Sequence, residues 1–191
     1  MDDHRQRVLT DRDLWMLIAQ SSYGDSYKPL NLRGAVLRGA DLAGADLTDA
    51  SFALADLSGA NLAGANLSGS FLAEANLKGA SLKGANLIGA VLSKANLSKA
   101  NLSEADFTDA KLDGADLSNS DIIDTDLTRA DLSLSLIRSS NLTRANLFKA
   151  NLSGADLTAS ELLEANFGKA FLSDTILDLV QNLERTIGFK G

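Results

Sequence analysis

Large apolar residues recur along this chain with a period of five, and small and polar residues keep a fixed place between them. The repeated unit reads Ala-Asp/Asn-Leu-x-x, as in residues 40–44. Thirty positions, Leu32 and every fifth residue to Leu177, carry only Leu, Phe or Ile. The position two before each of these carries only Ala, Ser or Thr from Ala35 to Thr175. We call the five places of the unit the Ala, Asx, Leu, fourth and fifth positions.

A period of five fits neither a helix, which repeats every 3.6 residues, nor a strand, which alternates every two. Fixed periods are typical of stacked units that bury a core only through their neighbours. In an extended chain, side chains two residues apart point to the same side. The Ala and Leu positions are therefore predicted to point inward, and the Asx position between them to point outward. Each unit is therefore predicted to be a short extended face with a corner at its last two residues.

The fifth position carries a turn signature in the first half of the repeat. It is glycine in eleven units, nine of them before residue 90. A type II turn needs a positive φ at its third residue, which favours glycine. Charged residues resist positive φ, so we expect other turn types at the later corners that end in Lys99, Glu104, Asp109, Asp124, Arg129, Arg144 and Lys149.

The number of faces per turn follows from the exceptions at the Asx position. Twenty of the thirty units have Asp or Asn there. Exceptions recur twenty residues apart at Ser51, Phe71, Val91 and Lys111, and again at Phe171. A coil of four units would place all of these residues on one wall.

These features resemble the pentapeptide-repeat family, whose motif is Ala-(Asp/Asn)-Leu-x-x, over about three quarters of the chain. The resemblance implies an all-β fold, a right-handed quadrilateral parallel β-helix of about seven coils. Many bacterial and cyanobacterial members of the family have no assigned function. Others mimic DNA and protect gyrase from quinolones.

A β-helix exposes its core at both ends, so caps are expected there. We predict an N-terminal cap over residues 1–29, with a helix from Thr10 to Gln20 and a linker marked by Gly24 and Pro29. The β-helix then occupies residues 30–175, and residues 176–191 form a C-terminal amphipathic helix capped by Asp174. Its apolar stripe, which either caps the shaft or contacts a second copy, comprises Ile176, Val180, Leu183 and Ile187.

A further apolar stripe is a candidate interaction surface. Phe71 and Val91 should be adjacent rungs of one outward wall, with Phe171 further along, and Leu54, Leu134 and Leu136 fall at the following corner. Exposed clusters of this kind can mark a partner site. The other interpretation is that the N-terminal segment, or the C-terminal helix of a second copy, covers the stripe.

Charge gives a second candidate. The formal balance of −7 disfavours direct nucleic-acid binding. The acidic residues of the chain concentrate in a belt, which comprises Glu104, Asp106, Asp109, Asp113, Asp116, Asp121, Asp124 and Asp126 and continues to Asp131. A duplex mimic should be acidic along its whole length, whereas this chain is banded. The belt is either a protein-binding surface or a solvated surface whose Asx side chains hydrogen-bond locally.

Catalysis finds little support. The chain has no cysteine, its single histidine is His4, and no phosphate-loop or calcium motif is present, so we expect no cofactor and no metal. No apolar run suits a signal peptide or a membrane span, which favours a cytoplasmic protein. The leading hypothesis is a non-catalytic rod that binds a protein partner or associates with itself as a homodimer. The alternative is a DNA mimic that interacts with gyrase or another topoisomerase.

Overall fold

The repeat winds into a solenoid with twenty residues per coil. In the computed structural model, which describes residues 10–22 and 28–189, parallel bridges join each outward residue to the one twenty positions later. They begin at Asn31↔Ser51 and end at Asn166↔Ile187, where the spacing becomes twenty-one. Each bridge is isolated, so in the described part of the chain the straight sides are single bridged residues rather than longer strands. The predicted coil of four units is confirmed, and the bridges extend over nearly eight coils rather than seven.

Four faces result, and each is defined by the bridged residues at its Asx positions. Face 1 comprises Asn31, Ser51, Phe71, Val91, Lys111, Asp131, Asn151 and Phe171. Face 2 comprises Val36, Asp56, Asn76, Asn96, Asp116, Leu136, Asp156 and Ile176. Face 3 comprises Asp41, Asn61, Ser81, Asn101, Asp121, Asn141, Glu161 and Gln181. Face 4 comprises Asp46, Asn66, Asn86, Asp106, Asp126, Asn146, Asn166 and Ile187.

Backbone hydrogen bonding explains why the motif needs Asp or Asn. In unit 95–99, the N–H groups of Asn96, Leu97 and Lys99 donate to carbonyls of the adjacent coils at 2.9, 2.6 and 2.9 Å. The N–H of Ala95 closes a turn on the carbonyl three residues earlier at 2.9 Å. The remaining N–H, that of Ser98, donates to Oδ1 of Asn96 at 3.0 Å. The Asx side chain therefore satisfies the one donor that neither the stack nor the turn can reach.

The core is continuous from the first coil to the last. The central Leu positions from Leu37 to Leu162 and the Ala positions between them are buried, in agreement with the inward placement predicted for both. Phe52, Phe107 and Phe167 also lie inside, with at most 1 % of each side chain exposed. Burying one such side chain contributes roughly 1.5–3 kcal/mol.

The corners differ from the sequence prediction. All thirty fifth positions, nineteen of them not glycine and eleven glycine, have a φ between 53° and 68°. Lys99 at 62° and Arg129 at 59° adopt the same conformation as Gly64 at 65°. The expectation of other turn types at the later corners was wrong. The reason is that the N–H of each fifth residue must reach a carbonyl of the next coil, as Lys99 and Arg129 do at 2.9 and 3.0 Å, and the stack outweighs local strain of about 1–2 kcal/mol.

The N-terminal helix predicted from Thr10 onward is confirmed as α1, Asp11–Ser22. Its start is a capping box, because the hydroxyl of Thr10 accepts the N–H of Asp13 at 3.2 Å while the Asp13 carboxylate accepts the N–H of Thr10 at 3.1 Å. Leu14 and Ile18 are buried in the same core as the first coil. Gly24 and His4 lie outside the described residues.

Helix α1 supplies side chains where a preceding coil would supply backbone. In the stack, a residue at the Asx position donates its N–H to the coil before it and accepts a bond from that coil. For Asp41 in the first coil, the carboxylate of Asp11 accepts the N–H at 3.2 Å, and the indole N–H of Trp15 donates to the carbonyl at 3.1 Å. The N-terminal edge of face 3 is thereby paired.

The C-terminal amphipathic helix over residues 176–191 is absent within the part of that segment the structure describes. The pentads continue instead, since Ile176 and Gln181 bridge to the preceding coil, and only a short 3₁₀ helix, Leu183–Arg185, interrupts them. A helix would leave the N–H groups of the seventh coil unpaired, whereas extended chain accepts those of Leu157 and Leu162 at 2.9 and 3.0 Å. Tertiary pairing therefore overrides the helical spacing of the apolar residues.

Candidate interaction surface

Face 1 brings together the aromatic and aliphatic residues that break the motif. Phe71 and Val91 bridge to one another, so they are adjacent rungs, as the twenty-residue period predicts. The side chain of Phe71 is half exposed and Phe171, at the far end of the same face, is 63 % exposed. Ile88, at the corner that leads into this face, is 42 % exposed. Sequence reasoning missed Ile88, although its place three residues before a face-1 rung could have revealed it.

Leu134 lies at the corner that follows face 1, whereas Leu136 lies just beyond that corner. Leu134 occupies a fifth position at 70 % exposure and folds over Gly154, where a Cβ would lie 2.8 Å from its Cδ2. Leu136 is instead the bridged residue of face 2, between Asp116 and Asp156, so its assignment to the corner itself needs correction. Leu54, at the same corner nearer the N-terminal end, is also exposed.

The predicted C-terminal stripe does not exist as one surface. Val180 and Leu183 pack against the core, while Ile176 and Ile187 point outward from faces 2 and 4. Phe189 closes part of this end by an edge-to-face contact with Phe167, with 6.0 Å between ring centroids.

The acidic belt is interleaved with cations from neighbouring coils. Glu104 pairs with Lys83 at 3.2 Å, Asp109 with Arg129 at 2.5 Å and Asp124 with Arg144 at 2.5 Å. Hydrogen bonds from Arg129 and Arg144 lower the pKa of Asp109 and Asp124. Three of the eight belt acids thus have a cationic partner in the fold.

The other belt acids mostly bond locally. Asp106, Asp116 and Asp126 each accept the N–H two residues later, at 2.8–2.9 Å, and Asp113 accepts the hydroxyl of Ser93 at 2.6 Å. Asp121 is exposed on face 3. This arrangement is a surface of Asx turns and ion pairs rather than a dense field of free carboxylates.

Two further groups were missed by the sequence reasoning. Asp156 is buried on face 2 and bonds Arg138 at 2.7 Å, an arrangement that Arg38 and Asp56 repeat near the N-terminal end. Lys149 and Lys169 lie over the ring of Phe148, at 5.4 and 5.7 Å from its centroid. Their signal in the sequence is a spacing of eighteen residues between Arg138 and Asp156 and of twenty-one between Phe148 and Lys169, which has meaning only once the coil length is known.

Concave space lies at the ends of the shaft. A depression of about 570 Å³ separates the start of α1 from residues 36–40, and one of about 420 Å³ is lined by Leu183, Glu184, Thr186 and Phe189. Among the described residues, no group of three or more His, Cys, Asp or Glu side chains is placed to hold a metal ion. Over the same ranges, 10–22 and 28–189, no helix is long and apolar enough to cross a bilayer.

Comparison with solved structures shows the same type of fold. The chain is 18 % identical to a trypsin-treated form of QnrB1, a plasmid-mediated fluoroquinolone resistance protein, with a TM-score of 0.58 and coverage of 82 % of this chain and 85 % of that one. HetL of the cyanobacterium Nostoc sp. strain PCC 7120, a pentapeptide repeat protein involved in heterocyst differentiation regulation, is 26 % identical over 96 % of this chain and 99 % of its own, with a TM-score of 0.47. The pentapeptide repeat protein alr5209 of Nostoc PCC 7120 is 39 % identical over 56 % of this chain and 79 % of its own, with a TM-score of 0.43.

No curated protein matches the chain. The family model for pentapeptide repeats matches in eight copies, over residues 31–69, 72–109, 100–137 and 140–178. These matches follow the bridged coils and cover well over half of the sequence. The chain belongs to the pentapeptide-repeat family.

Proposed function

We propose that this chain is a right-handed four-sided β-helix that works as a non-catalytic protein-interaction scaffold, with face 1 and its two corners as the docking surface. The right-handed winding is inferred from the structural neighbours that share the repeat. The docking surface is inferred from the distribution of exposed apolar side chains. Between residues 30 and 170, four of the five exposed large apolar residues belong to face 1 or its corners: Leu54, Phe71, Ile88 and Leu134. The remaining residue, Leu136, lies on face 2 next to the corner that carries Leu54 and Leu134.

The physical argument is the cost of leaving these groups in water. Covering the exposed half of a side chain such as Phe71 contributes about half of the roughly 1.5–3 kcal/mol that complete burial of such a side chain gives. Clusters of such residues on one side of a soluble surface are the usual mark of a protein contact. The interior of the shaft is filled with leucine, phenylalanine and alanine, so a flat surface rather than a deep cavity is available for binding.

A paired substitution tests this surface. Phe71→Ser with Val91→Ser removes two adjacent rungs of face 1, and Asn76→Ser with Asn96→Ser changes two adjacent rungs of face 2. We expect affinity capture from the source cells, read by quantitative mass spectrometry, to lose its specific partner with the face-1 variant alone. Far-UV circular dichroism should show both variants folded. Equal capture by the wild type and both folded variants would remove face 1 as the docking surface.

A topoisomerase is the second candidate partner, favoured by the fold that the chain shares with the fluoroquinolone resistance protein QnrB1. The distribution of charge weighs against it, because belt acids such as Asp109 and Asp124 are already paired with arginines. A gyrase supercoiling assay with and without ciprofloxacin distinguishes the two. Neither inhibition nor protection at micromolar protein would end the topoisomerase hypothesis.

A further inference from the structure

We infer that face 1 docks against face 1 of a second copy of this chain, with the two shafts side by side and antiparallel. This inference deepens the proposed function and depends on it, because it names the occupant of the surface proposed above. It rests on the order of residues along face 1 and its two corners. When one copy is turned end over end about a certain point on this face, its residues meet residues of complementary charge or size on the other copy. That point lies midway between Lys111 and Asp131.

Charge distinguishes face 1 from the other three faces. At their bridged positions, faces 2, 3 and 4 each carry three acids and no cation. The acids of face 2 are Asp56, Asp116 and Asp156, those of face 3 are Asp41, Asp121 and Glu161, and those of face 4 are Asp46, Asp106 and Asp126. Face 1 carries one cation, Lys111, and one acid, Asp131. Like charges brought face to face repel, so a pair of identical faces is favoured only for face 1.

The antiparallel direction follows from the same two residues. If the two shafts ran parallel about a two-fold axis, each rung would meet its own copy, which places Lys111 against Lys111 and Asp131 against Asp131. If the shafts run antiparallel about an axis midway between these rungs, Lys111 meets Asp131 of the second copy at two symmetric places. Opposite charges then face each other in both.

The same axis pairs the apolar rungs without any further adjustment. Phe71 and Phe171 are equally distant from the axis, so each meets the other residue of the second copy, and an aromatic pair forms at both ends of the contact. Val91 meets Asn151. At the corner that leads into face 1, the exposed Ile88 meets Phe148. The half-exposed rings that the isolated chain leaves in water are thus covered by one another.

The corners add complementary shape at one place. Lys149 comes opposite Gly89 of the second copy, which has no other atom within 4 Å of an added Cβ. Gly69, Gly114 and Gly154 are already covered by Asp49, Lys94 and Leu134 of their own chain, so they leave no free space. Asp109 comes opposite Arg129, which already neutralises it within one chain at 2.5 Å. Glu74 opposite Asp174 is the one pair of like charges at these corners, and it lies at the solvated rim, where such pairs cost little.

The contact spans six coils, which is roughly 29 Å at about 4.8 Å per coil. One face is only one short unit wide, so the buried area falls below the roughly 1,200 Å² of a standard interface and the dimer should be weak, with a dissociation constant on the order of 10 µM. We therefore expect sedimentation equilibrium to show a mass that rises with concentration from 20.1 kDa towards twice that value.

The absence of cysteine from the chain allows a direct test of the register. Val91→Cys and Asn151→Cys are prepared as separate full-length variants, mixed and treated with a short bismaleimide crosslinker, because packed faces lie about 10 Å apart, beyond the reach of a disulfide. We expect a crosslinked heterodimer in the mixture, because these positions face each other across the axis. Little product should form with either variant alone, since its two thiols are also displaced by about three coils, or roughly 14 Å, along the shaft.

A matched control uses Ser81→Cys mixed with Asn141→Cys, which have the same spacing on face 3, on the opposite side of the shaft. This mixture should give no heterodimer. A charge exchange gives an independent test: Lys111→Glu should weaken association by about tenfold, and adding Asp131→Lys should restore it. Circular dichroism confirms that each variant is folded.

Absence of the face-1 heterodimer, or an equal yield from the face-3 control, would overturn the self-pairing. The same holds if Lys111→Glu associates as strongly as the wild type. The proposed function then stands if Phe71→Ser with Val91→Ser still loses its captured partner, and it fails as well if that capture is unchanged. The two proposals are thereby distinguishable.

Discussion

Replacing Asp156 by alanine should lower the free energy of unfolding by about 3 kcal/mol. The carboxylate has 9 % of its side chain exposed and accepts three hydrogen bonds. Two come from Thr158, through its N–H at 2.9 Å and its hydroxyl at 2.5 Å, and one comes from Nε of Arg138 at 2.7 Å. Each such bond contributes about 1 kcal/mol net, and the exposed position of Arg138 keeps the ion pair near that value too.

Asp56 is the internal comparison, because it repeats the arrangement five coils earlier. Its carboxylate accepts bonds from Ser58 at 3.1 Å, Asn76 at 3.1 Å and Arg38 at 2.5 Å, but its side chain is 20 % exposed. Water can replace more of these partners after substitution. We therefore expect Asp56→Ala to cost about 1–2 kcal/mol, less than Asp156→Ala.

The effect should depend on pH in a defined direction. Burial acts to raise the pKa of Asp156, but the hydrogen bonds from Thr158 and Arg138 outweigh it and hold the pKa below its ordinary value. A lowered pKa in the folded state means that the ionised carboxylate stabilises the fold fully above its unfolded pKa, near 3.9, and loses that contribution as the pH falls through the folded value. The difference between wild type and Asp156→Ala should therefore shrink in acid.

Urea unfolding followed by far-UV circular dichroism, at about pH 7 and again at about pH 3, measures both effects. Asp156→Asn is the control, since its side-chain oxygen can still accept the N–H of Thr158 while the charge is lost. We expect it to fall between wild type and Asp156→Ala. The reasoning is refuted if Asp56→Ala costs as much as Asp156→Ala, or if the cost of Asp156→Ala is the same at both pH values.

Three further substitutions test the core, the corners and the N-terminal cap. Leu87→Ala, at a side chain with no exposure, should cost about 3–5 kcal/mol in urea unfolding, and a loss below about 1 kcal/mol would contradict its inward placement. Gly64→Ala, at a φ of 65° with no atom within 4 Å of the added Cβ, should cost about 1 kcal/mol from backbone strain alone, and a gain in stability would refute that origin. Trp15→Phe removes the bond to the Asp41 carbonyl, so hydrogen exchange in α1 should become about fivefold faster, while unchanged exchange would show that the indole does not hold the helix.

The period of five was enough to predict the coil, its four faces and the inward residues. This works because every unit must bury the same Leu and Ala positions, so a pattern of side-chain size along the chain reports directly on the interior. The adjacency of Phe71 and Val91 follows from the same count. Once the coil length is known, residues twenty apart are neighbours.

Two local arguments failed because they weighed residues one at a time. Lys99 and Arg129 do resist positive φ, but the bond that each N–H makes to the next coil fixes the corner. The spacing of Ile176, Val180 and Leu183 does suit a helix, but the open edge of the seventh coil selects extended chain. In both cases the partner that decides the outcome is about twenty residues away.

Ion pairs could not be predicted in the same way. Arg138 finds Asp156 eighteen residues later, whereas Arg129 finds Asp109 twenty residues earlier. The choice depends on which corner position carries the long side chain and on which way it leans along the shaft. These are properties of the folded surface that a list of charges does not contain.

The bridge spacing of twenty also sets what insertions and deletions can do to this protein. Removing four whole units shortens the shaft by one coil and leaves every later residue on its original face. Removing a single unit turns everything that follows by a quarter revolution, although the interior still receives its Leu and Ala. Such a deletion therefore rotates the surface residues of one half of the molecule by a right angle relative to those of the other half, while the packing of the core stays the same.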